Sequence, residues 1–227
     1  MEEAQFASAL QACMQDAKGK RKFTQAAELI INFNGIDFAK QDNRLNVDVV
    51  LPKGKGRDVK IGVFSDGGQI SMEAKNAGFE VFTTADAQRL AGDRKALKEM
   101  VKKYEFLADP KMMVVVAKHL GQFLGTRERL PRPIVGAKMA DIAERARKSV
   151  KLKSKGKYLP VAQCLIGNES MSTDDLAENA FAVYDAVKGK VGGDFFIKSM
   201  YVKLTMGKPV RVGEAKAAKA EAAKVGA

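Results

Sequence analysis

Ser199, Tyr201, Lys203 and Thr205 recur at every second position of the stretch SMYVKLTMGKPVRV at 199–212. Such alternation puts them on one side of a strand, with Met200, Val202, Leu204 and Met206 on the other. The two small hydroxyls can each donate and accept a hydrogen bond, and the phenol and the ammonium group extend that polar row. None of the chain's serines sits in a GxSxG turn, so the chemistry available to this row is recognition rather than bond-making. The row breaks at Thr205-Met206-Gly207, where a residue without a Cβ lets another backbone approach closely.

Other reactive residues fail the spacing tests for catalysis. The one histidine, His119, follows VVVAK where a helix is expected to begin, with no cysteine or carboxylate cluster beside it. Asp174-Asp175 reads as the acidic first turn of a helix rather than a catalytic pair. PKGKG lacks the spacing of a phosphate loop, and Ser65-Asp66-Gly67-Gly68 lacks a full GxGxxG. Cys13 and Cys164 both lie in apolar patterns and are expected to be reduced core thiols. No cofactor and no metal are expected.

The 227 residues carry a net charge of +12, which points to an anionic partner. The excess peaks in the middle, where residues 61–154 hold 18 basic and 11 acidic side chains. Short basic clusters occur at KGKRK (18–22), at Lys53, Lys55 and Arg57, and at RARKSVKLKSKGK (145–157). Three such clusters beside glycine-rich connections favour RNA or DNA. The longest apolar run, Met112 to Ala117, is far short of the roughly 20 residues that span a bilayer. Glu2 and Glu3 stand where a targeting peptide would avoid acids, so a cytoplasmic protein without membrane contact is expected.

These side chains need elements to hold them. Phe6, Leu10, Cys13 and Ala17 predict a first helix that stops at Gly19. ELIINFNGI then alternates, with Leu29, Ile31 and Phe33 on one face and Glu28, Asn32 and Asn34 on the other. LNVDVVLP repeats the pattern through Leu45, Val47, Val49 and Leu51. From about residue 59 the style changes to short apolar strands, VKIGVF and FEVFT, alternating with helical segments such as ADAQRLAG and DRKALKEMVKKY. FLADP and MMVVVA follow, then KHLGQFLG and GAKMADIAERARKSV. Half-buried alternation resumes in YLPVAQCLIG, followed by a helix capped by Ser172 and closed at Lys188-Gly189, and by the strand 195–206.

The fold class expected is therefore α/β and α+β in two domains. A discontinuous α+β RNA-binding domain comes from both chain ends, 1–64 plus 155–213, with a Rossmann-like parallel α/β domain inserted at 65–154. Chain crossings near Ser65-Asp66-Gly67-Gly68 and Ser154-Lys155-Gly156 would form a hinge. Residues 214–227 read as a flexible tail.

LGQFLGTRERLPRP at 120–133 resembles the LGxxLGPRGLMPNP signature of the ribosomal protein L-one family, which forms the mobile stalk of the large subunit. RKFTQAAEL, LPKGKG, GNES at 167–170 and SMYVKLTMGKPVRV fall where that family has its other landmarks. The resemblance spans about residues 1 to 213 and is nearest to the archaeal branch; Thr126-Arg127-Glu128-Arg129 departs from the bacterial Pro-Arg-Gly. It implies a two-domain structural protein, not an enzyme. The implied partners are the ribosome, the stalk of large-subunit ribosomal RNA, the chain's own mRNA, which it would repress, and deacylated tRNA leaving the exit site.

Site residues then follow from both readings. Ser199 and Thr205 lie about 20 Å apart along one strand face, a span that suits folded RNA recognised through 2′-hydroxyls and unstacked bases. Met206 packs on a ribose or base, and Gly207 admits a close backbone. Lys22 and Phe23 supply a phosphate contact and an aromatic or ribose contact, with a solvated lysine and a core phenylalanine as the rival roles. Glu28 accepts from a 2′-hydroxyl or a guanine amino group, and Ser170 is a further contact, with helix capping as its rival role. The competing reading is a nucleotide-binding α/β enzyme acting on RNA, the nucleotide lying at the strand ends of the inserted domain.

Overall fold

A computed structural model describes residues 2–40, 43–127, 129–135, 139–154 and 159–213. The chain divides into two compact units, Met1–Arg57 with Lys148–Ala227, and Asp58–Arg147. The expected 214–227 tail, and Lys155-Gly156 of the expected hinge, lie outside the described residues.

The first unit is built on strands whose alternation was legible. In β1 (Ala26–Phe33), Ala27, Leu29, Ile31 and Phe33 are buried while the intervening residues are half-buried. β1 is flanked antiparallel by β8 (Val161–Asn168) and β9 (Ile197–Leu204), and β10 (Val210–Arg211) extends the sheet to the order β10-β9-β1-β8. The buried face packs with α1 (Glu3–Ala17) and α7 (Thr173–Val191) in one core that includes Phe6, Leu10, Ile166, Val183 and Met200. Ser172 caps α7, its hydroxyl accepting from the Asp175 N–H at 3.1 Å. The helix runs past the expected stop at Lys188-Gly189 and ends at Gly192, whose φ of 86° suits the left-handed cap.

A second pair of strands completes this unit. β2 (Asn46–Val50) pairs antiparallel with β7 (Ser149–Lys153), placing Val49 opposite Val150 and Val47 opposite Leu152.

The second unit has a parallel sheet in the order β4-β3-β5-β6, from β3 (Lys60–Phe64), β4 (Glu80–Phe82), β5 (Tyr104–Ala108) and β6 (Arg132–Pro133). Phe64, Phe82 and Phe106 form a core with residues of α3 (Thr84–Gly92), α4 (Arg94–Lys103) and α5 (Pro110–Thr126). Ile61, Val63 and Leu107 form another with Ala74 of α2 (Gly68–Asn76) and Ala143 of α6 (Met139–Lys148). Consecutive strand residues thus enter cores on opposite faces, as in doubly wound sheets.

Three expectations are corrected. MMVVVA is not a separate segment ahead of a helix starting at His119. It lies inside α5, which Asp109 caps by accepting from the Lys111 N–H at 3.0 Å, with Pro110 in the first turn. Met112, Val116, Leu120 and Leu124 are buried at four-residue intervals, so packing overrides the β preference of three valines.

The domain boundaries also shift by seven residues at both crossings, to 57/58 and 147/148. The backbone pairing explains it: β3 hydrogen-bonds within the second unit and β7 within the first. Consequently Ser65-Asp66-Gly67-Gly68 is no crossing. It is the β3–α2 turn of the second unit, held by Ser65 N–H donating to Phe82 O at 3.0 Å and by Asp66 accepting from Thr84 N–H at 2.6 Å.

Candidate RNA-binding surface

Antiparallel register gathers three loops at one end of the β10-β9-β1-β8 sheet. Ala26 at the start of β1 lies opposite Asn168 at the end of β8, and Ala27 lies opposite Leu204 at the end of β9. The Lys22-Phe23 segment, the GNES segment and Thr205-Met206-Gly207 therefore leave the sheet together. Lys22 is exposed, and Phe23 is 51% exposed, which rules out a core role for its ring. Met206 is 56% exposed. Phe23 and Met206 thus leave two large apolar side chains in solvent at the loop end of one sheet, where a base or ribose could cover them.

Thr205 has a different immediate role from the one its type suggests. Its hydroxyl oxygen accepts from Ala26 N–H at 3.1 Å and donates to Ala26 O at 3.3 Å, clamping the turn to the start of β1. Gly207 is likewise required from within. A Cβ there would stand 2.9 Å from the Ala17 Cβ and 3.4 Å from the Leu204 Cβ, so the glycine is what lets this turn lie against α1.

Ser170 is exposed and does not cap α7, a task taken by Ser172. Instead its N–H and hydroxyl both donate to Asn168 Oδ1, at 3.1 and 2.6 Å. The Asn168 amide in turn donates to Gly56 O, joining the GNES loop to LPKGKG. The buried Asn179 of α7 fixes the same loop, donating to Gly54 O at 3.0 Å and accepting from Lys53 N–H at 3.0 Å.

The remaining site residues lie on the half-buried outer face of the sheet. Glu28 stands directly opposite Lys203, and Ile30 opposite Tyr201. Ser199 pairs with Asn32, whose amide donates to the Ser199 hydroxyl at 3.0 Å. Register thus separates Ser199 from the loop end: it neighbours the last residues of β1, whereas Thr205 neighbours the first.

Of the cations expected to draw an anion, Lys53 is paired with Glu178 at 3.3 Å and Asp175 at 3.8 Å. Its bond to Glu178 raises its ammonium pKa, with Asp175 adding to the effect. Lys55 is buried. Lys18, Lys20, Arg21, Lys22 and Arg57 are exposed, as are Arg145, Arg147 and Lys151 of the third cluster.

Sequence reasoning missed Gln25, Asn168 and Asn179, whose amides organise these loops. One signal was available for Gln25. It shares the odd-numbered, inward parity of Ala27, Leu29 and Ile31, where a polar residue is out of place unless its hydrogen bonds are met.

The strand ends of the second unit carry a cavity of about 610 Å³, lined by Asp66, Gly67, Gly68, Asp109, Lys111 and Met112 among others. Asp66 holds the start of α3 through Thr84, and Asp109 caps α5. The lining thus sets two carboxylates, Asp66 and Asp109, beside one cation, Lys111, at the N-terminal ends of α2 and α5. Among the described residues no group of three or more His, Cys, Asp or Glu could hold a metal ion. Nor is any described helix long and apolar enough to cross a membrane.

An antiparallel sheet with helices on one face, interrupted in the chain by a doubly wound parallel unit, defines the class as a two-unit mixed α/β protein. A family model described as "Ribosomal protein L1p/L10e family" matches residues 13–208. Similar relatives each carry the name large ribosomal subunit protein uL1. The one from Pyrococcus horikoshii is 36% identical over 206 residues, covering 88% of this chain and 93% of the relative. That from Methanobrevibacter smithii is 39% identical over 196 residues, covering 85% and 91%. That from Methanococcus vannielii is 36% identical over 210 residues, covering 91% and 97%. The chain belongs to the ribosomal protein L1p/L10e family, archaeal-like within it, and the names these relatives carry are those of ribosomal proteins, not enzymes.

Proposed function

We propose that this chain is a cytoplasmic, structural constituent of the large ribosomal subunit that grips the stalk region of large-subunit ribosomal RNA. The contact surface is the loop end of the first unit. Lys22 meets a phosphate, Phe23 and Met206 meet a base or ribose, and Ser170, Thr205 and Gly207 line the approach of the RNA backbone. Glu28 and Ser199 extend the surface along the sheet. The observation that carries this reading is the register that brings three separate loops, with Phe23 and Met206 both exposed, to one edge. Repression of the chain's own mRNA and contact with exit-site tRNA extend the reading; they rest on the family resemblance.

A binding titration tests it. A stem-loop from the stalk of large-subunit ribosomal RNA is expected to bind well above a scrambled RNA of equal length and charge, at the same salt. Equal affinity for both RNAs would reduce the protein to a nonspecific cation. Thermal stabilisation by ATP, GTP or NAD but not by the stem-loop would favour the nucleotide-binding reading.

A further inference from the structure

We propose that Gln25 is the positioning residue of this surface: its amide fixes three loops in one arrangement, and RNA affinity depends on that amide although it is sealed from the RNA. The inference rests on the RNA reading above.

Gln25 is 0% exposed and precedes β1. Its Nε2 donates to Ala17 O, the last residue of α1, at 2.8 Å and to Glu169 Oε2 in the GNES loop at 3.2 Å. Its Oε1 accepts from Met206 N–H at 3.1 Å, inside the Thr205-Met206-Gly207 turn. Its backbone carbonyl accepts from Glu169 N–H at 3.0 Å. One buried side chain thus ties a helix end, the loop after β8 and the turn after β9.

The pattern selects glutamine by chemistry. The site asks for two N–H donors and one acceptor on a stem of this length, which no other side chain supplies. A carboxylate offers acceptors alone, and it would face the Glu169 carboxylate and the Ala17 carbonyl, both of which need donors. Burial makes that charge costlier still. An apolar side chain would fill the volume and leave the Met206 N–H and Ala17 O without their partner. The neighbours of these anchor points in the chain are Thr205, Gly207 and Ser170. Holding them in place before the RNA arrives removes an ordering cost from binding.

The test is a charge swap. Gln25→Glu is expected to weaken stem-loop affinity about tenfold or more, while the salt slope stays unchanged because no phosphate contact is lost. Adding Glu169→Gln restores a donor between these two positions but not to Ala17 O, and is expected to recover part of the lost affinity. In the free protein, amide exchange at Met206 is expected to quicken in Gln25→Leu, which removes the acceptor of its N–H, and to change far less in Gln25→Glu, which keeps one. Should Gln25→Glu not fold, Glu169→Ala removes one of the bonds from the loop side and carries the same readouts, with a loss of severalfold.

Wild-type affinity in Gln25→Glu, or a double variant no better than the single one, would overturn the inference. A wild-type chain without preference for the stem-loop would instead overturn the functional reading. The exchange rates at Met206 separate the two failures, since they need no RNA.

Discussion

The Thr205 hydroxyl holds both ends of one residue, accepting from the Ala26 N–H at 3.1 Å and donating to the Ala26 carbonyl at 3.3 Å. The turn beyond β9 and the start of β1 are therefore one rigid piece, and Thr205 acts on RNA partly by placing Met206. Thr205→Val keeps the shape and deletes both bonds. It is expected to weaken stem-loop binding by about 1–3 kcal/mol and to leave the salt slope nearly unchanged. Thr205→Ser retains the hydroxyl and is expected to bind nearly as the wild type. Unaltered affinity in the valine variant, with the fold intact, removes Thr205 from the site.

Gly207 and Ala17 are in contact with no room for a methyl group between them. Gly207→Ala is expected to cost about 1–3 kcal/mol in chemical denaturation, since a Cβ at 2.9 Å forces the turn away from α1. RNA affinity should fall with it. A variant as stable as the wild type would show that the turn moves without cost.

Lys22 is exposed in the loop before β1 and has no structural duty in the first unit's core. Lys22→Ala is expected to leave stability unchanged and to flatten the slope of log affinity against log salt by about one unit. An unchanged slope would place Lys22 away from any phosphate.

Alkaline pH should weaken the first unit. Burial, and then the bond to Asp194, push the Tyr184 phenol up to about 12. An unfolded phenol ionises near 10, so this contribution is complete below about pH 10 and is lost as pH rises towards 12. Burial of the Cys164 thiol, also pushed up to about 12, acts in the same sense from about pH 9. The same Tyr184 bond lowers the Asp194 pKa, a contribution present above about pH 4 and lost in acid below it. Tyr184→Phe is expected to lower stability at neutral pH by about 1 kcal/mol and to flatten the alkaline limb of Tm against pH. Parallel profiles for the two proteins would exclude this group as the cause.

The alternation of Leu29, Ile31 and Phe33, and of Met200, Val202 and Leu204, made the first unit's sheet readable, because one face is core and the other is not. The parallel unit was readable in kind, since short apolar strands alternating with helices admit few other folds. Its detail was not. An apolar run such as Met112–Ala117 looks alike in a buried strand and a helix, and only the Asp109-Pro110 start decides. β7 was hidden because the lysines of SVKLK draw the eye from Val150 and Leu152, which alternate towards β2. The crossing expected at Ser65-Asp66-Gly67-Gly68 was misplaced for a related reason: glycines at 67 and 68 mark a turn, but only long-range pairing says which unit owns it.

For the candidate surface, residue types pointed to Thr205 and Gly207. Their partners, Ala26 and Ala17, are distant in sequence and bland in type. The separation of Ser199 from Thr205 followed from strand length alone. Which of them would share an edge with Ser170 depended on the order of strands in the sheet, a property of pairing rather than pattern.

The central claim is that the loop end of the β10-β9-β1-β8 sheet is where RNA docks. Backbone amide shifts of the full chain, followed during titration with the stalk stem-loop, test it most directly. The largest changes are expected at 20–28, 168–171 and 203–208, with smaller ones at Ser199. Changes confined to 58–147, with Phe23, Ser170 and Met206 unmoved, would contradict it.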